Sequence, residues 1–277
     1  MPWIDGVYVN AKVWHALHAA EKLAKHRPVN VLFIGPSGAG KTDTARAFAA
    51  EHDMSLVFVN VPLIRDPEEL YGTREARSGR TTFELSEFSE AVVRGNCVIV
   101  LDELNRAEPW ILNGILPILD FRRATTVHGI HVVVGKNVIF VATMNIGLSY
   151  FGTFQSDAAL VNRFEITARL DWPPQQAEVM ILQKRVGISS DAATRIVATM
   201  RELRKKLAGT IEEGLLSPRT SLAIANVVHL GGLGVREAFE VVFSDSVPPE
   251  ARREATDIIN TTNGVLSWDD EGEGNNE

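Results

Sequence analysis

Gly35-Pro36-Ser37-Gly38-Ala39-Gly40-Lys41-Thr42 is a complete G-x-x-x-x-G-K-[ST] segment, and its neighbours restrict what it can be. Ahead of it, Val31-Leu32-Phe33-Ile34 is a short apolar run suited to a buried strand. Behind it, Asp43 to His52 has helical composition, with Ala45, Ala47, Phe48, Ala49 and Ala50. A phosphate is held by backbone N–H groups turned inward and by the positive end of a helix; strand, glycine loop and helix supply both. Gly35 to Asp43 is therefore the expected cradle, its glycines allowing conformations that a Cβ forbids. Lys41 is expected to reach the β- and γ-phosphates, and the Thr42 hydroxyl to ligate Mg²⁺. A glycine turn of another kind would not need a strand and a helix in these places.

Further along, Leu56 to Val61, Val98 to Leu101 and Val138 to Ala142 are apolar runs. Continuous rather than alternating apolarity means burial on both faces, as in a parallel sheet covered by helices. Helical patterns lie around them: Ala11 to Lys25, a segment with Leu85, Phe88 and Val92 on one face that stops at Gly95, and Pro109 to Phe121, bent at Pro117. The composition changes at Leu170-Asp171-Trp172-Pro173-Pro174. Beyond it the patterns are helical, with Ile196, Met200, Leu203 and Leu207 at helical spacing and later segments around 223–230, 235–243 and 249–259. The expected organisation is a helical lead-in over 1–27, an α/β nucleotide-binding domain over 28–172, a small helical domain over 173–265 and an acidic, disordered tail over 266–277.

That tail, with Asp269, Asp270, Glu271, Glu273 and Glu277, carries most of the net charge of −7. The body is close to neutral, which argues against a chain-wide electrostatic grip on nucleic acid. No apolar stretch approaches the length of a membrane span, and the N-terminus lacks the pattern of a secretory signal, so a cytoplasmic address is expected. The single cysteine, Cys97, excludes intramolecular disulfides and multi-thiolate metal sites and reads as a small buried hydrophobe.

Cys97 to Glu103 is an apolar strand ending in two acids. Strand ends at the carboxyl edge of a parallel sheet are where ligands of α/β proteins bind. Asp102 is expected to hold the hydration shell of Mg²⁺ and Glu103 to polarise the attacking water. One acid for metal and one for water suits a hydrolase better than a small-molecule kinase. The next strand ends at Asn145, whose amide would orient that water.

The phosphate loop, Leu101-Asp102-Glu103-Leu104-Asn105-Arg106-Ala107, Ala142-Thr143-Met144-Asn145, Tyr150-Phe151-Gly152-Thr153, Ala159-Leu160-Val161-Asn162-Arg163-Phe164 and Ser217-Pro218-Arg219-Thr220 together resemble the AAA+ ATPases. Within them they resemble the MoxR-type branch, with its CbbQ, NorQ and GvpN chaperones and the cobaltochelatase small subunit. The similarity covers roughly 28–230 in the family's order. It implies a three-layer α/β P-loop domain with a parallel sheet, an all-helical lid, ATP and Mg²⁺ as cofactors, and assembly into a homo-oligomeric ring, typically a hexamer. By position, Asn145 resembles the sensor-1 residue and Arg163 the arginine that reaches a neighbouring subunit's γ-phosphate. Arg219 resembles the sensor-2 residue acting on its own subunit's nucleotide. A guanidinium suits developing phosphoryl charge, and one delivered in trans makes hydrolysis depend on assembly. A surface salt bridge is the alternative for Arg163, and an ion pair at the start of a helix the alternative for Arg219. Arg106 reads either as a residue of the subunit junction or as half of a structural ion pair.

Two insertions resemble the family's pore-facing hairpins. One spans Asp66 to Phe83, with Arg74, Arg77 and Arg80; the other spans Arg122 to Asn137, with His128 and His131. The histidines lack a third ligand at metal spacing and read as exposed hairpin residues. Leu70-Tyr71-Gly72 only loosely echoes the aromatic loop of protein unfoldases. The expectation is an ATPase that remodels a partner protein, held by these loops or by a separate adaptor chain, with insertion of a metal or cofactor as one form of that remodelling. A nucleic-acid motor or a GTP-using restriction subunit is the alternative, supported only by the three arginines. A nucleotide-gated assembly protein is a third reading.

Overall fold

In a computed structural model of the chain, residues 3–4, 6–77, 80–145 and 158–265 are described. In chain order they form β1 (Trp3–Ile4), β2 (Val7–Tyr8), α1 (Ala11–Ala24), β3 (Val29–Gly35), α2 (Lys41–Glu51), β4 (Ser55–Asn60), β5 (Gly72–Arg77), β6 (Arg80–Leu85), α3 (Glu87–Arg94), β7 (Cys97–Asp102) and α4 (Pro109–Leu119). Then follow β8 (Ala124–Val127), β9 (Ile130–Val133), β10 (Val138–Asn145), α5 (Ala158–Val161), β11 (Ile166–Arg169), α6 (Gln175–Val186), α7 (Ser190–Leu207), α8 (Pro218–Gly231), α9 (Val235–Val242) and α10 (Pro249–Val265). The Tyr150–Thr153 motif and the acidic tail lie outside the described residues.

Two compact units emerge. Among the described residues, the first contains everything up to Gly35 together with 40–145 and 158–170; the second contains Pro36–Ala39 and the chain from Asp171 onward. In the first, five strands pair in the order β11-β3-β10-β7-β4, every pair parallel. Pleating sends alternate residues to opposite faces, and both faces are sealed. Leu32, Ile99, Leu101, Phe140 and Ala142 pack with Phe88 and Val92 of α3 and Ile111, Ile115 and Ile118 of α4. Val31, Phe33, Val98, Val100, Ile139 and Val141 are just as buried, on the face where α1 and α2 meet the sheet. The result is a three-layer α/β unit.

The fifth strand, β11, is absent from the runs read in the sequence. Ile166-Thr167-Ala168-Arg169 is short and alternates buried with exposed residues, as an edge strand does, so no unbroken apolar run announces it. The N-terminal segment is also more than a helix, since β1 and β2 form an antiparallel ribbon before α1. α4 continues through Pro117 to Leu119. The second unit is helical, with Ile196, Met200, Leu203 and Leu207 of α7 packed against Ile224, Phe239, Phe243 and Ile259.

Candidate functional site

Register sets the site. β10 pairs with β3 so that Asn145 lies opposite Gly35, and β4 pairs with β7 so that Asn60 lies opposite Asp102. The carboxyl ends of the strands therefore bring the start of the glycine loop, the acidic pair and Asn145 to one edge. Gly35 has no room for a side chain, because a Cβ would sit 1.9 Å from the Leu170 carbonyl oxygen. Gly40, at φ 81°, adopts the left-handed conformation from which α2 starts.

Lys41 is 7% exposed, and its Nζ donates to the Gly35 carbonyl at 2.9 Å and to Asn145 Oδ1 at 2.7 Å. Asn145 Nδ2 donates to Glu103 Oε1 at 3.1 Å, and Arg106 Nη1 donates to Glu103 Oε2 at 2.9 Å. The Arg106 guanidinium is thus half of an ion pair within its own chain, with Glu103 at i−3. Glu103 itself stands at φ 53°, in the left-handed region that costs a side-chain-bearing residue energy, immediately after β7. Asp102 Oδ1 is reached by two hydroxyls, Thr42 Oγ1 at 3.4 Å and Thr143 Oγ1 at 2.6 Å. Asp43 faces Arg46 at 3.4 Å on the first turn of α2.

Thr143 was not singled out from the sequence. It donates to Asp102 and accepts from the Glu103 N–H at 2.9 Å, so one hydroxyl ties both acids to β10. Its only sequence signal is a polar residue in an otherwise apolar run.

The described residues contain no cluster of three His, Cys, Asp or Glu side chains able to hold a metal ion. The donor set that is present, one threonine hydroxyl and one carboxylate beside a phosphate cradle, suits Mg²⁺, which keeps several waters and takes its other ligands from substrate phosphates. Thr42 and Asp102 would hold it, and it would supply charge neutralisation to the phosphate oxygens.

The middle of the loop, Pro36–Ala39, is itself part of the second unit. Trp172 Nε1 donates to the Ser37 carbonyl at 2.8 Å, Arg219 Nη1 stands 3.5 Å from Ser37 Oγ, and a Cβ on Gly38 would meet Ser217 Cβ at 3.0 Å. Ser217 is the N-cap of α8, with Pro218 at the first helical position, so Arg219 sits in the helix's first turn. Behind it lies a buried network legible in no local pattern. Glu178, fully buried on α6, accepts from Arg204 Nη1 and Nη2 at 2.6 and 2.7 Å and from Ser221 Oγ at 2.7 Å. Arg204 also donates to the Leu216 carbonyl and stacks 4.9 Å from the Trp172 ring centroid.

Arg163 is brought to neither group. Its carbonyl accepts from Asn30 Nδ2 at 2.6 Å, at the amino end of β3. Asn30 and Gly35 are five strand steps apart, roughly 16 Å at the usual rise.

The inserted segments are hairpins. β5 pairs with β6, and β8 with β9 around a His128-Gly129 turn in which both residues have positive φ. His128 differs from an isolated exposed histidine: Nε2 lies 2.6 Å from Glu68 Oε2, Nδ1 contacts Arg74, and the ring meets Phe83 edge-on. Leu70 and Tyr71 are buried, and the Tyr71 hydroxyl donates to the Gly114 carbonyl at 2.6 Å. Burial pushes that hydroxyl's pKa well up, and it pushes the Cys97 thiol up to about 11.

A parallel sheet with a glycine cradle, a buried lysine and a Thr/Asp pair at its carboxyl edge defines a P-loop nucleotide-binding protein. Residues 30–164 match the AAA domain (dynein-related subfamily). The chain is 33% identical over 233 residues to the chaperone candidate BssE of Thauera aromatica, covering 83% of this chain and 80% of that protein. It is 30% identical over 150 residues to the ClpA homolog protein of Fuscovulum blasticum, 51% of this chain and 19% of that one. Among solved structures, the Thermotoga maritima RuvB Holliday junction branch migration motor shares the fold at a TM-score of 0.54 and 20% identity, over 96% of this chain and 72% of that one. The chain belongs to the AAA family of ATPases.

Proposed function

We propose that this chain is a Mg²⁺-dependent, MoxR-type ATPase that works as a homo-oligomeric ring, most simply a hexamer, and spends ATP hydrolysis on remodelling a partner protein. In this reading the loop from Gly35 to Asp43 cradles the phosphates and Lys41 exchanges its Asn145 and Gly35 partners for phosphate oxygens. Thr42 and Asp102 hold Mg²⁺, Glu103 takes a proton from the attacking water, and Asn145 orients that water. Arg219 acts on its own subunit's nucleotide and Arg163 on the neighbour's. ATP supply is in keeping with a cytoplasmic address; among the described residues no helix is long and apolar enough to cross a membrane.

The observation that carries this reading is the position of the Arg163 backbone. It is bonded at the end of β3 opposite the phosphate loop, farther from its own loop than an arginine side chain extends. A guanidinium there serves hydrolysis only for another copy, which ties turnover to assembly. The chaperone name of the Thauera aromatica relative supports a protein client over a nucleic-acid one. Of the three arginines behind the nucleic-acid reading, Arg74 contacts His128; the side chains of Arg77 and Arg80 lie outside the described residues.

Mixing two inactive variants tests the proposal. Arg163→Ala and Lys41→Ala are each expected to lose at least about 90% of turnover, consistent with the thousandfold scale of arginine fingers. Mixed rings regain part of it, because some junctions combine an intact loop with an intact arginine. Assembled mixed rings without any regained ATPase would refute action in trans.

A further inference from the structure

The geometry points to Asn30 as the residue that positions Arg163, with Arg123 holding the Asn30 amide in place; this rests on the reading of Arg163 as a trans-acting group. Asn30 is fully buried between Val29 and Val31 of β3. An amide in such a place is costly unless its donors and acceptor are satisfied, and here they are used in a particular way. Nδ2 donates to the Leu119 carbonyl at 2.7 Å and to the Arg163 carbonyl at 2.6 Å, while Oδ1 accepts from Arg123 Nη1 at 2.6 Å. The reverse amide orientation would set Oδ1 against two carbonyl oxygens and the NH₂ against a guanidinium, so the network admits one orientation.

Asn30 grips the Arg163 turn on both sides. Its side chain holds the Arg163 carbonyl, and its own carbonyl accepts from the Glu165 N–H at 3.2 Å. Phe164, between them, is buried in the core under the sheet. Arg123 stands at φ 48° where α4 gives way to the β8–β9 hairpin, whose far end returns through the Val134 N–H to the Arg123 carbonyl at 2.8 Å. Its Nη2 also donates to the Pro28 carbonyl at 3.1 Å and lies 3.7 Å from Glu165 Oε1. The end of α4, the root of the hairpin and the Arg163 turn thus meet on one amide. None of these contacts lies at the carboxyl edge where the subunit's own loop sits.

A positioning role and a scaffold role part company in the following experiment. Asn30→Asp keeps the acceptor for Arg123 but replaces the donor facing both carbonyls with an oxygen. The assembled variant is expected to lose about tenfold to a hundredfold in kcat, the scale of an ångström-sized misplacement of a catalytic group. Its affinity for a fluorescent ATP analogue, which reads its own loop, stays unchanged, and mixing with Lys41→Ala restores turnover as it does for Arg163→Ala. Unchanged kcat, a parallel loss of nucleotide affinity, or a loss that mixing leaves unrepaired each overturns the proposal. If Asn30→Asp does not fold, Arg123→Met, at a side chain 17% exposed, is judged by the same three readouts; unfolding of both assigns the pair to the scaffold and overturns the positioning role. Full turnover by Arg163→Ala would instead bring down the trans reading itself. Inactive Arg163→Ala beside fully active Asn30→Asp and Arg123→Met would remove only the role of Asn30.

Discussion

The cluster around Glu103 and the cluster around Glu178 are built from the same kinds of groups, yet one is open and the other sealed. Glu103 is paired with Arg106 at side chains 28% and 49% exposed, whereas Glu178 is paired with Arg204 at 1% and 12%. Around Glu178, two guanidinium nitrogens and one hydroxyl saturate the carboxylate from two other helices. Around Glu103 the partners are an exposed arginine three residues on and the amide of Asn145, which is also bonded to Lys41. Partners that water and phosphate oxygens can replace suit chemistry; partners that nothing replaces suit scaffolding. Accessibility, more than residue type, separates the two.

Substitutions in each cluster put that contrast at risk. Glu103→Gln, the largest effect, is expected to lower kcat by about 10²–10⁴ while keeping ATP binding, on the scale of losing a general base. Its thermal unfolding should match the parent protein, because an exposed pair contributes about 0–1 kcal/mol. Turnover within twofold of the parent would remove Glu103 from the mechanism. Arg204→Ala should do the opposite, costing about 3–5 kcal/mol of stability by leaving a buried carboxylate without its partner. Replacing both residues, as Glu178→Met with Arg204→Met, should recover much of that loss in a denaturant titration; a single variant as stable as the parent would mean the pair is not sealed.

Thr143→Val sharpens the boundary, since Thr143 is buried yet bonded to both acids of the open cluster. It is expected to cost about 1–3 kcal/mol, the penalty for leaving buried polar groups unpaired. Turnover should fall with it, because the Glu103 N–H and Asp102 Oδ1 lose their shared anchor. A stability loss with kcat preserved would place Thr143 with the scaffold.

The site at the sheet's carboxyl edge was legible because its parts are contiguous. The loop, the acidic pair after Leu101 and Asn145 after Met144 each sit at the end of an unbroken apolar run. Glu178 and Arg204 belong to different helices, and nothing in either neighbourhood marks them as partners. Asn30 left a faint sign, a lone amide in Val29-Asn30-Val31-Leu32-Phe33, whose meaning depends on segments far along the chain. β11 left less, because an edge strand alternates and is short.

Local chemistry, which the chain carries wherever it goes, was enough to determine the glycine loop between strand and helix, the acidic end of β7 and the α/β class. These need only a loop's conformational freedom and the period of apolar residues. Which end of the sheet receives Arg163, which carboxylate is sealed and which stays open were decided by tertiary structure. Each depends on strand order and on which distant carbonyls and guanidinium groups burial brings within hydrogen-bonding reach, and no short stretch of sequence encodes that.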